Sequence, residues 1–203
     1  MTRLLSIAIL FIFLGCDDNY NPKKTFLLPD EKDINDIVEA VVNQDSMPFL
    51  KTNIPYPIPL SLDLRKIRVT VPDTATEVPP PVDHTTISIF NLFNSVVDYQ
   101  RFFERTDSSY FLFQNNSLDS FIIDKTLTKK LVTTTFSEQR QKTASNLSVR
   151  YYDLTIPILS TDHRKAYIEL TNNCSDCGGA TAFYLEKINS KWTVVGWQRL
   201  WMN

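Results

Sequence analysis

The sequence predicts an α+β fold in which an N-terminal helix packs on a mainly antiparallel, curved β-sheet. Three observations support this prediction. Residues 30–44 place apolar side chains at helical spacing, residues 149–201 alternate apolar and polar side chains in four runs, and 11 prolines restrict long helices elsewhere. Because a helix and a sheet each bury one face, the two are expected to share a core.

The chain begins with an apolar segment that is too short to span a bilayer. Arg3 precedes an apolar run that ends at Leu14, and the small residue Gly15 stands directly before Cys16. A membrane-spanning helix needs about 20 apolar residues, whereas roughly 7–15 form the apolar part of an export signal. Residues 1–15 are therefore predicted to be an export signal.

The end of this segment, Phe13-Leu14-Gly15-Cys16, resembles the lipobox of bacterial lipoproteins, with Phe13 where Leu is usual. The resemblance implies cleavage before Cys16 and lipidation of the Cys16 thiol and of the new amine. Each buried CH₂ of an acyl chain contributes about 0.8 kcal/mol, so several chains hold a soluble domain at a membrane. The alternative is an ordinary secretory signal with a cysteine near the cleavage site. In that case the protein is exported but carries no lipid anchor.

An acidic pair, Asp17 and Asp18, follows the cysteine. The pair is similar to the export signals of Bacteroidota surface lipoproteins, whereas Asp directly after the cysteine implies inner-membrane retention in enterobacteria. We expect a cell-envelope protein anchored to the outer membrane through Cys16, either periplasmic or surface-exposed, and the leaflet stays open.

Residues 16–29 are predicted to be the lipidated cysteine and a tether, and residues 30–203 a single domain with a proline-rich excursion at 48–81. The tether carries charges, two prolines and little periodicity. The formal net charge of the chain is −2, and loss of Arg3 with the leader makes it one unit more negative. Since the charges are scattered and no basic block occurs, no nucleic-acid partner is expected.

The segment from Asp30 to Gln44 has the features of an amphipathic helix. Asp30 is a suitable N-cap, and acidic residues in the first turn favour the positive end of the helix dipole. One apolar stripe follows helical spacing, and it comprises Ile34, Ile37, Val38, Val41 and Val42. We expect this stripe to face the core; a partner-binding helix would show the same pattern.

Eight of the eleven prolines lie between Pro48 and Pro81, which favours extended loops and edge strands there. Two apolar runs alternate on opposite parity, Leu60, Leu62 and Leu64 first, then Ile67, Val69 and Val71. A bend near Arg65 and Lys66 would reconcile them. Residues 73–81 read as an exposed loop of polyproline character, or as a docking ligand for another domain.

The middle of the chain predicts short strands. Aromatic and β-branched residues alternate between residues 85 and 123, with turns expected at residues 107–109 and 115–116. Helical turns at 95–103 are the alternative there. Residues 131–136 predict a short strand or helix, and the polar stretch after it predicts a mobile loop.

The C-terminal segment predicts a four-stranded antiparallel meander. The expected strands cover residues 149–158, 164–171, 180–188 and 191–201, with a turn at Asn189 and Ser190. Short connections between such strands favour antiparallel neighbours. A cone-shaped sheet of this kind resembles those of nuclear-transport-factor-2-like folds.

Cys174 and Cys177 form an isolated pair in a compartment that permits disulfides, so a local disulfide is the main prediction. Metal binding and redox catalysis are the alternatives. A redox pair needs its first cysteine at a helix N-terminus, whereas Gly178 and Gly179 indicate a turn entering a strand. The run from Arg164 to Trp197 around this turn resembles the C-terminal segment of small uncharacterised lipoproteins of Bacteroidota, for which no activity is implied.

Three tryptophans crowd the last predicted strand. By simple alternation Trp197 and Trp201 share one face, and Trp192 lies on the other. Packing in the core is the main interpretation, while an exposed Trp197–Trp201 surface for a glycan or protein partner is the alternative. Gly196 permits a bulge or a close approach of another segment.

The sequence offers few catalytic groups. The hydrolase signature G-x-S-x-G and the zinc signature H-E-x-x-H are absent, and the four glycines form no phosphate-binding loop. His84 and His163, the two histidines, are read as solvated loop residues, so neither a zinc site nor a cofactor is expected. Glu138 and Asp153 are a carboxylate pair that a fold could bring together.

These observations lead to three functional hypotheses. The first is a lipid-anchored, non-enzymatic binding or accessory domain of the cell envelope. The second is an envelope hydrolase or redox enzyme whose active-site cleft is not indicated by any sequence motif. The third is an inhibitor or immunity-type lipoprotein that binds a protein partner. A pocket with convergent polar groups favours ligand binding or catalysis, whereas a flat apolar patch favours a protein partner.

Overall fold

The computed structural model describes residues 25–44, 55–72, 85–127, 129, 131–145, 149–174 and 177–202. The helices in these segments are α1 (Glu31–Val42), α2 (Ile89–Asn94), α3 (Ser108–Gln114), which follows a 3₁₀ turn at Arg105–Asp107, and α4 (Phe136–Ala144). The strands are β1 (Leu60–Ser61), β2 (Asp63–Leu64), β3 (Arg68–Thr70), β4 (Thr86–Ser88), β5 (Val96–Val97), β6 (Gln100–Arg101), β7 (Phe121–Ile122), β8 (Thr133–Thr134), β9 (Arg150–Leu154), β10 (Ile158–Leu159), β11 (Lys165–Cys174), β12 (Gly179–Ile188) and β13 (Lys191–Met202).

Helix α1 confirms the prediction for the N-terminal segment. Asp30 caps it, since the Asp30 side chain accepts a hydrogen bond from the Asp33 amide at 2.6 Å. All five apolar residues of the predicted stripe are buried in one core cluster. The helix therefore packs on the sheet through this face.

The main sheet has the order β13-β12-β11-β9-β1-β8, and β10 pairs with β11 beside β9. Strands β9 to β13 pair with one another in antiparallel orientation, which confirms the C-terminal meander. Strand β1 runs parallel to both β8 and β9, so the sheet is mixed at that end. Asn189 and Ser190 have positive φ values of 49° and 65°, as the tight turn between β12 and β13 requires. The fold is α+β.

The sheet has a core on each face. The helix-side core contains α1 and the buried Leu60, Leu62 and Leu64, whereas the opposite core contains Ile67 and Val69. The chain changes faces at Arg65 and Lys66, so the predicted bend is confirmed. Val71 ends this run and is 57% exposed, because β3 stops at Thr70.

Several predictions for the middle of the chain are wrong. Residues 89–94 and 108–114 form helices α2 and α3 where strands and a turn were predicted, and residues 96–101 form a hairpin. The hairpin turns through Asp98 and Tyr99, which have positive φ values. Buried Leu92, Tyr110 and Phe111 anchor the two helices in the cores, so tertiary packing overrides the strand preference of aromatic residues.

Helix α4 replaces the predicted mobile loop. The Thr135 side chain accepts from the Glu138 amide, and the Glu138 side chain accepts from the Thr135 amide, which forms a capping box. The pattern T-x-x-E was present in the sequence, but the helix carries few apolar residues and buries only Gln139. Residues 146–148 lie outside the described part of the chain, as do residues 73–81 and the leader.

The predicted tether meets the domain earlier than expected. The ring of Phe26 lies 5.3 Å from that of Tyr110 and 5.4 Å from that of Phe113. The Tyr110 hydroxyl also donates to the Leu27 carbonyl at 2.7 Å. Residues 25–29 are thus docked on α3, and ordered contacts begin before Asp30.

Candidate functional site

One row of paired residues crosses the sheet on the face opposite α1. Asp153 of β9 pairs with Thr171 of β11, Thr171 pairs with Ala180 of β12, and Ala180 pairs with Trp201 of β13. Paired residues share a face, so all four side chains lie on the same side of the sheet. The small Ala180 leaves room between the polar pair and the indole.

Helix α4 forms a wall over this row. A cavity of about 690 Å³ lies between them, and we call it the sheet cleft; its polar and aromatic lining includes Arg65, Arg140, Tyr151, Asp153, Asn173 and Trp201. A second cavity of about 400 Å³ continues along the same face at Glu169, Tyr167 and Gln198. Both volumes are in the range of small-molecule sites.

Arg65 joins two buried carboxylates in the floor of this face. Its Nε lies 3.6 Å from Oδ2 of Asp153, and its Nη2 lies 4.0 Å from Oε2 of Glu169. The same Nη2 donates to Oγ1 of Thr171 at 3.0 Å. The guanidinium therefore offsets the charge that burial of two carboxylates would leave uncompensated.

Burial raises the pKa of Asp153, and the Arg65 charge offsets only part of this effect. Burial likewise raises the pKa of Glu169, although the Tyr167 hydroxyl donates to Glu169 Oε1 at 2.6 Å and opposes the increase. The pKa of Tyr167 is raised by its own burial and by the neighbouring Glu169 carboxylate. The cleft therefore holds carboxyl groups that ionise less readily than exposed ones.

Two buried polar atoms of the cleft, Oδ1 of Asp153 and Nδ2 of Asn173, make no hydrogen bond of standard geometry within the described part of the chain. The Asn173 amide and the Thr171 hydroxyl are nevertheless near enough to Asp153 to lower its pKa and so oppose the effect of burial. Asp153 is only 4% exposed, so bulk water does not reach its carboxylate. Both Asp153 and Asn173 line the sheet cleft.

The predicted grouping of the tryptophans is wrong. Strand β13 carries register shifts against β12 near Val195 and Leu200, and each shift inverts the alternation. Trp192 and Trp197 pair with Lys187 and Phe183, which lie on the helix side, whereas Trp201 pairs with Ala180 on the cleft side.

The individual tryptophans have different environments. Trp192 is buried and its Nε1 donates to Asp33 at 3.0 Å, as the core interpretation expects. Trp197 is 66% exposed and borders a separate cavity of about 340 Å³ together with Arg199. Trp201 borders both this cavity and the sheet cleft. Trp197 and Trp201 therefore belong to opposite faces of β13 by register, but both line the cavity of about 340 Å³.

Cys174 and Cys177 form a disulfide, as predicted. Cys174 ends strand β11 and pairs with Arg150 of β9, so it does not begin a helix as a thioredoxin-type cysteine does. Asn172 Nδ2 donates to the Cys177 carbonyl at 3.0 Å and braces the same turn. The bridge fixes the connection between β11 and β12. Cys16 lies outside the described residues.

The remaining predicted residues occupy other places. His163 is half-buried, and its Nε2 is 2.6 Å from the Tyr110 hydroxyl, so it is not a solvated loop residue. His84 lies outside the described residues. Glu138 is held by its capping box and by the Thr134 hydroxyl at 2.9 Å, whereas the charged neighbour of Asp153 is Arg65. The Glu138–Asp153 pairing is not formed.

Sequence reasoning missed Arg65, Glu169, Thr171 and Asn173 as site residues. The available signal was the polar parity of β11, where Glu169, Thr171 and Asn173 occupy alternate positions of a strand that is mostly buried. Arg65 was noted only as a bend. Its role depends on contacts with strands about 90 to 100 residues away in the chain, and such contacts leave no local pattern.

No protein-family model, no curated protein sequence and no solved structure matches this chain. Among the described segments, no helix has the length and apolar character needed to cross a bilayer. Within those segments, His, Cys, Asp and Glu side chains form no group of three or more that could hold a metal ion.

Proposed function

We propose that this chain is a lipid-anchored protein of the outer membrane whose domain binds a ligand in the sheet cleft without transforming it. The leader and Cys16 support the anchor. The observation that supports binding is the convergence of Asp153, Asn173 and Trp201 on a cavity of about 690 Å³. Convergent polar groups in a concave site that also offers aromatic surface are typical of ligand-binding pockets.

The anchor is tested on the chain purified from native membranes. Mass spectrometry is expected to find acyl chains on an N-terminal Cys16, and Cys16→Ser is expected to release the protein from the membrane fraction. The double variant C174S/C177S is the matched control, because it removes thiols and keeps the anchor. An unmodified Cys16, or a membrane-bound Cys16→Ser protein, contradicts the anchor.

Binding is tested by thermal melting of the full-length protein against a library of envelope components that includes amino acids, short peptides, nucleosides and oligosaccharides. We expect at least one class to raise the Tm of the wild type and of Trp197→Ala, and to leave Asp153→Asn unchanged. A library without effect, or an equal effect on Asp153→Asn, contradicts ligand binding in this cleft.

A hydrolase is the second candidate, and the two carboxylates with raised pKa values support it. Carboxyl groups whose pKa is raised by burial in a cleft are candidates for general acid or base catalysis. The test is to incubate each stabilising compound with the protein and to follow its mass. A product that forms with the wild type and with Trp197→Ala, and that does not form with Asp153→Asn even at high concentrations of the compound, favours the hydrolase over the binding protein.

A further inference from the structure

We propose that the cavity beside the Cys174–Cys177 disulfide is a second binding site and that it takes a small aromatic carboxylate. We call this cavity of about 340 Å³ the disulfide pocket. Its volume is in the range of small-molecule sites. The proposal goes beyond the function proposed above, because it uses none of the polar residues of the sheet cleft.

The floor of the disulfide pocket is apolar. Tyr152, Leu170 and Phe183 line it, and all three are buried members of the core cluster that packs under α1. An apolar ligand body placed against this floor loses contact with water, and that loss stabilises the complex. The body of the ligand is therefore expected to be apolar.

One wall of the pocket is cross-linked before any ligand binds. Cys177, Gly178 and Gly179 form this wall, and the disulfide to Cys174 closes the turn that contains them. Asn172 braces the same turn, since its Nδ2 donates to the Cys177 carbonyl at 3.0 Å. A wall that is already held in place reduces the conformational entropy that binding costs.

Trp197 gives the pocket an exposed aromatic surface. Its indole is mostly exposed, whereas Trp192 of the same strand is buried. Pairing with Phe183 places Trp197 on the face of β13 that carries the floor. An aromatic ring packed between the Trp197 and Phe183 rings gains more than an aliphatic group of the same area. The apolar body is therefore expected to be aromatic.

Arg199 determines the charge of the ligand. It pairs with Thr181 and lies on the same face of β13 as Trp197. Among the described residues that line the pocket it is the only charged one. Its side chain is exposed and makes no ion pair with a described carboxylate. A guanidinium without a compensating carboxylate favours an anionic ligand over a neutral one.

The single cation also distinguishes a carboxylate from a phosphate. A carboxylate has one negative charge and forms two parallel hydrogen bonds with a guanidinium, so Arg199 neutralises it completely. A phosphate monoester carries almost two charges near neutral pH, and the pocket offers no second cation among its described residues. A carboxylate on an aromatic ring therefore matches both the charge and the surface of the pocket.

The test is isothermal titration calorimetry of the full-length protein in detergent, with detergent alone as the blank. The probe is naphthylacetate. Naphthylacetamide has the same shape without the charge and is expected to bind about tenfold more weakly or less. Octanoate keeps the charge without the ring, and naphthyl phosphate carries the higher charge; both are expected to bind more weakly than naphthylacetate.

Arg199→Gln and Trp197→Ala locate the ligand. Arg199→Gln is expected to weaken naphthylacetate binding about tenfold and to leave naphthylacetamide binding unchanged, because only the acid uses the guanidinium. Trp197→Ala is expected to weaken the binding of both compounds. Arg140→Gln is the matched control, since Arg140 is an exposed arginine that lines the sheet cleft instead. It is expected to leave both affinities unchanged.

Circular dichroism and Tm measurements show that each variant is folded; both substituted residues of the pocket are exposed. Four outcomes overturn the proposal. They are no binding of naphthylacetate, equal affinity for the acid and its amide, tighter binding of octanoate or naphthyl phosphate, and an affinity that depends on Arg140 and not on Arg199. The last outcome would place the acid in the sheet cleft. Failure of the thermal library with Asp153→Asn rejects the function of that cleft and leaves the disulfide pocket standing.

Discussion

Asp153 is the residue on which the candidate site depends. Its Oδ2 faces Arg65, and the Asn173 and Thr171 side chains lie near enough to lower its pKa, although burial raises the pKa more. Buried ion pairs contribute little net stability, because desolvation cancels much of the attraction. The arrangement is therefore better explained by the position it gives to the carboxylate than by a contribution to folding.

Gly196 is the residue at which the hairpin of β5 and β6 approaches the sheet. A Cβ atom at Gly196 would lie 3.1 Å from both methyl carbons of Val97. Contacts this short force a neighbour to move. The glycine therefore allows the close approach that the sequence analysis anticipated, and it lies next to the register shift at Val195.

We predict that Gly196→Val destabilises the protein by about 1–3 kcal/mol, because the added methyl groups overlap Val97. The measurement is urea unfolding followed by circular dichroism. Adding Val97→Ala removes the two methyl groups concerned, so the double variant is expected to lose less stability than the sum of the single variants. Strict additivity would mean that the strain arises elsewhere.

At the scale of single elements, helix α1 is attached to the end of the meander by Asp33. The Asp33 carboxylate accepts from Lys187 Nζ at 2.6 Å and from Trp192 Nε1 at 3.0 Å. Burial opposes ionisation of Asp33, but these hydrogen bonds outweigh it and hold its pKa below the ordinary value. The helix and strands β12 and β13 are thereby fixed at a common point.

Asp33→Asn is predicted to cost about 1 kcal/mol at neutral pH, since a charged hydrogen-bond acceptor is replaced by a neutral one. A lowered folded-state pKa gives stability that is present above the unfolded value of 3.8 and lost as the pH falls through the folded value. Chemical unfolding between pH 2 and 7 should show the difference from wild type disappearing at the acidic end. A constant difference would exclude the carboxylate as its cause.

Strand β13 shows how an element sets the position of its own side chains. Two register shifts within its 12 residues move Trp197 to the face of Trp192 and Trp201 to the face of the cleft. Each extra residue inverts the alternation beyond it. Gly196 indicated that a bulge was allowed, but the number of bulges depends on the pairing with β12.

At the scale of the whole molecule, the two faces of the sheet have opposite electrostatic behaviour. On the helix side the pKa of Asp33 is lowered, whereas on the cleft side burial raises the pKa values of Asp153 and Glu169. Acid protonates Asp33 and therefore weakens the contact between α1 and the meander. A rise in pH ionises Asp153 and Glu169 and therefore places charge in the buried floor of the cleft.

We predict that the stability of the wild type, relative to Glu169→Gln, falls as the pH rises above 4.5. Glu169 has a folded-state pKa above its unfolded value of 4.5, so its favourable contribution is complete below that value and is lost as the pH rises through the folded value. Calorimetric Tm values from pH 4 to 8 test this. A difference that grows with pH in favour of the wild type would contradict the buried-carboxylate account.

The sequence alone determined the parts of this protein that follow from local periodicity. Several features could be predicted because each depends on spacing over a few residues. They are helix α1 with its Asp30 cap, the four C-terminal strands, the face change at Arg65 and the disulfide. Helices α2, α3 and α4 were not predicted. The aromatic residues of α2 and α3 favour strands, and α4 is mostly polar, so composition concealed the packing of the first two and the capping of the third.

The tertiary structure alone decided the candidate site. Asp153, Thr171 and Trp201 come from three strands, whose register brings the carboxylate, the hydroxyl and the indole to one face. Arg65 follows β2 and reaches Asp153 from outside these strands. Local sequence sets which faces are polar, whereas long-range pairing and bulges set which polar groups meet.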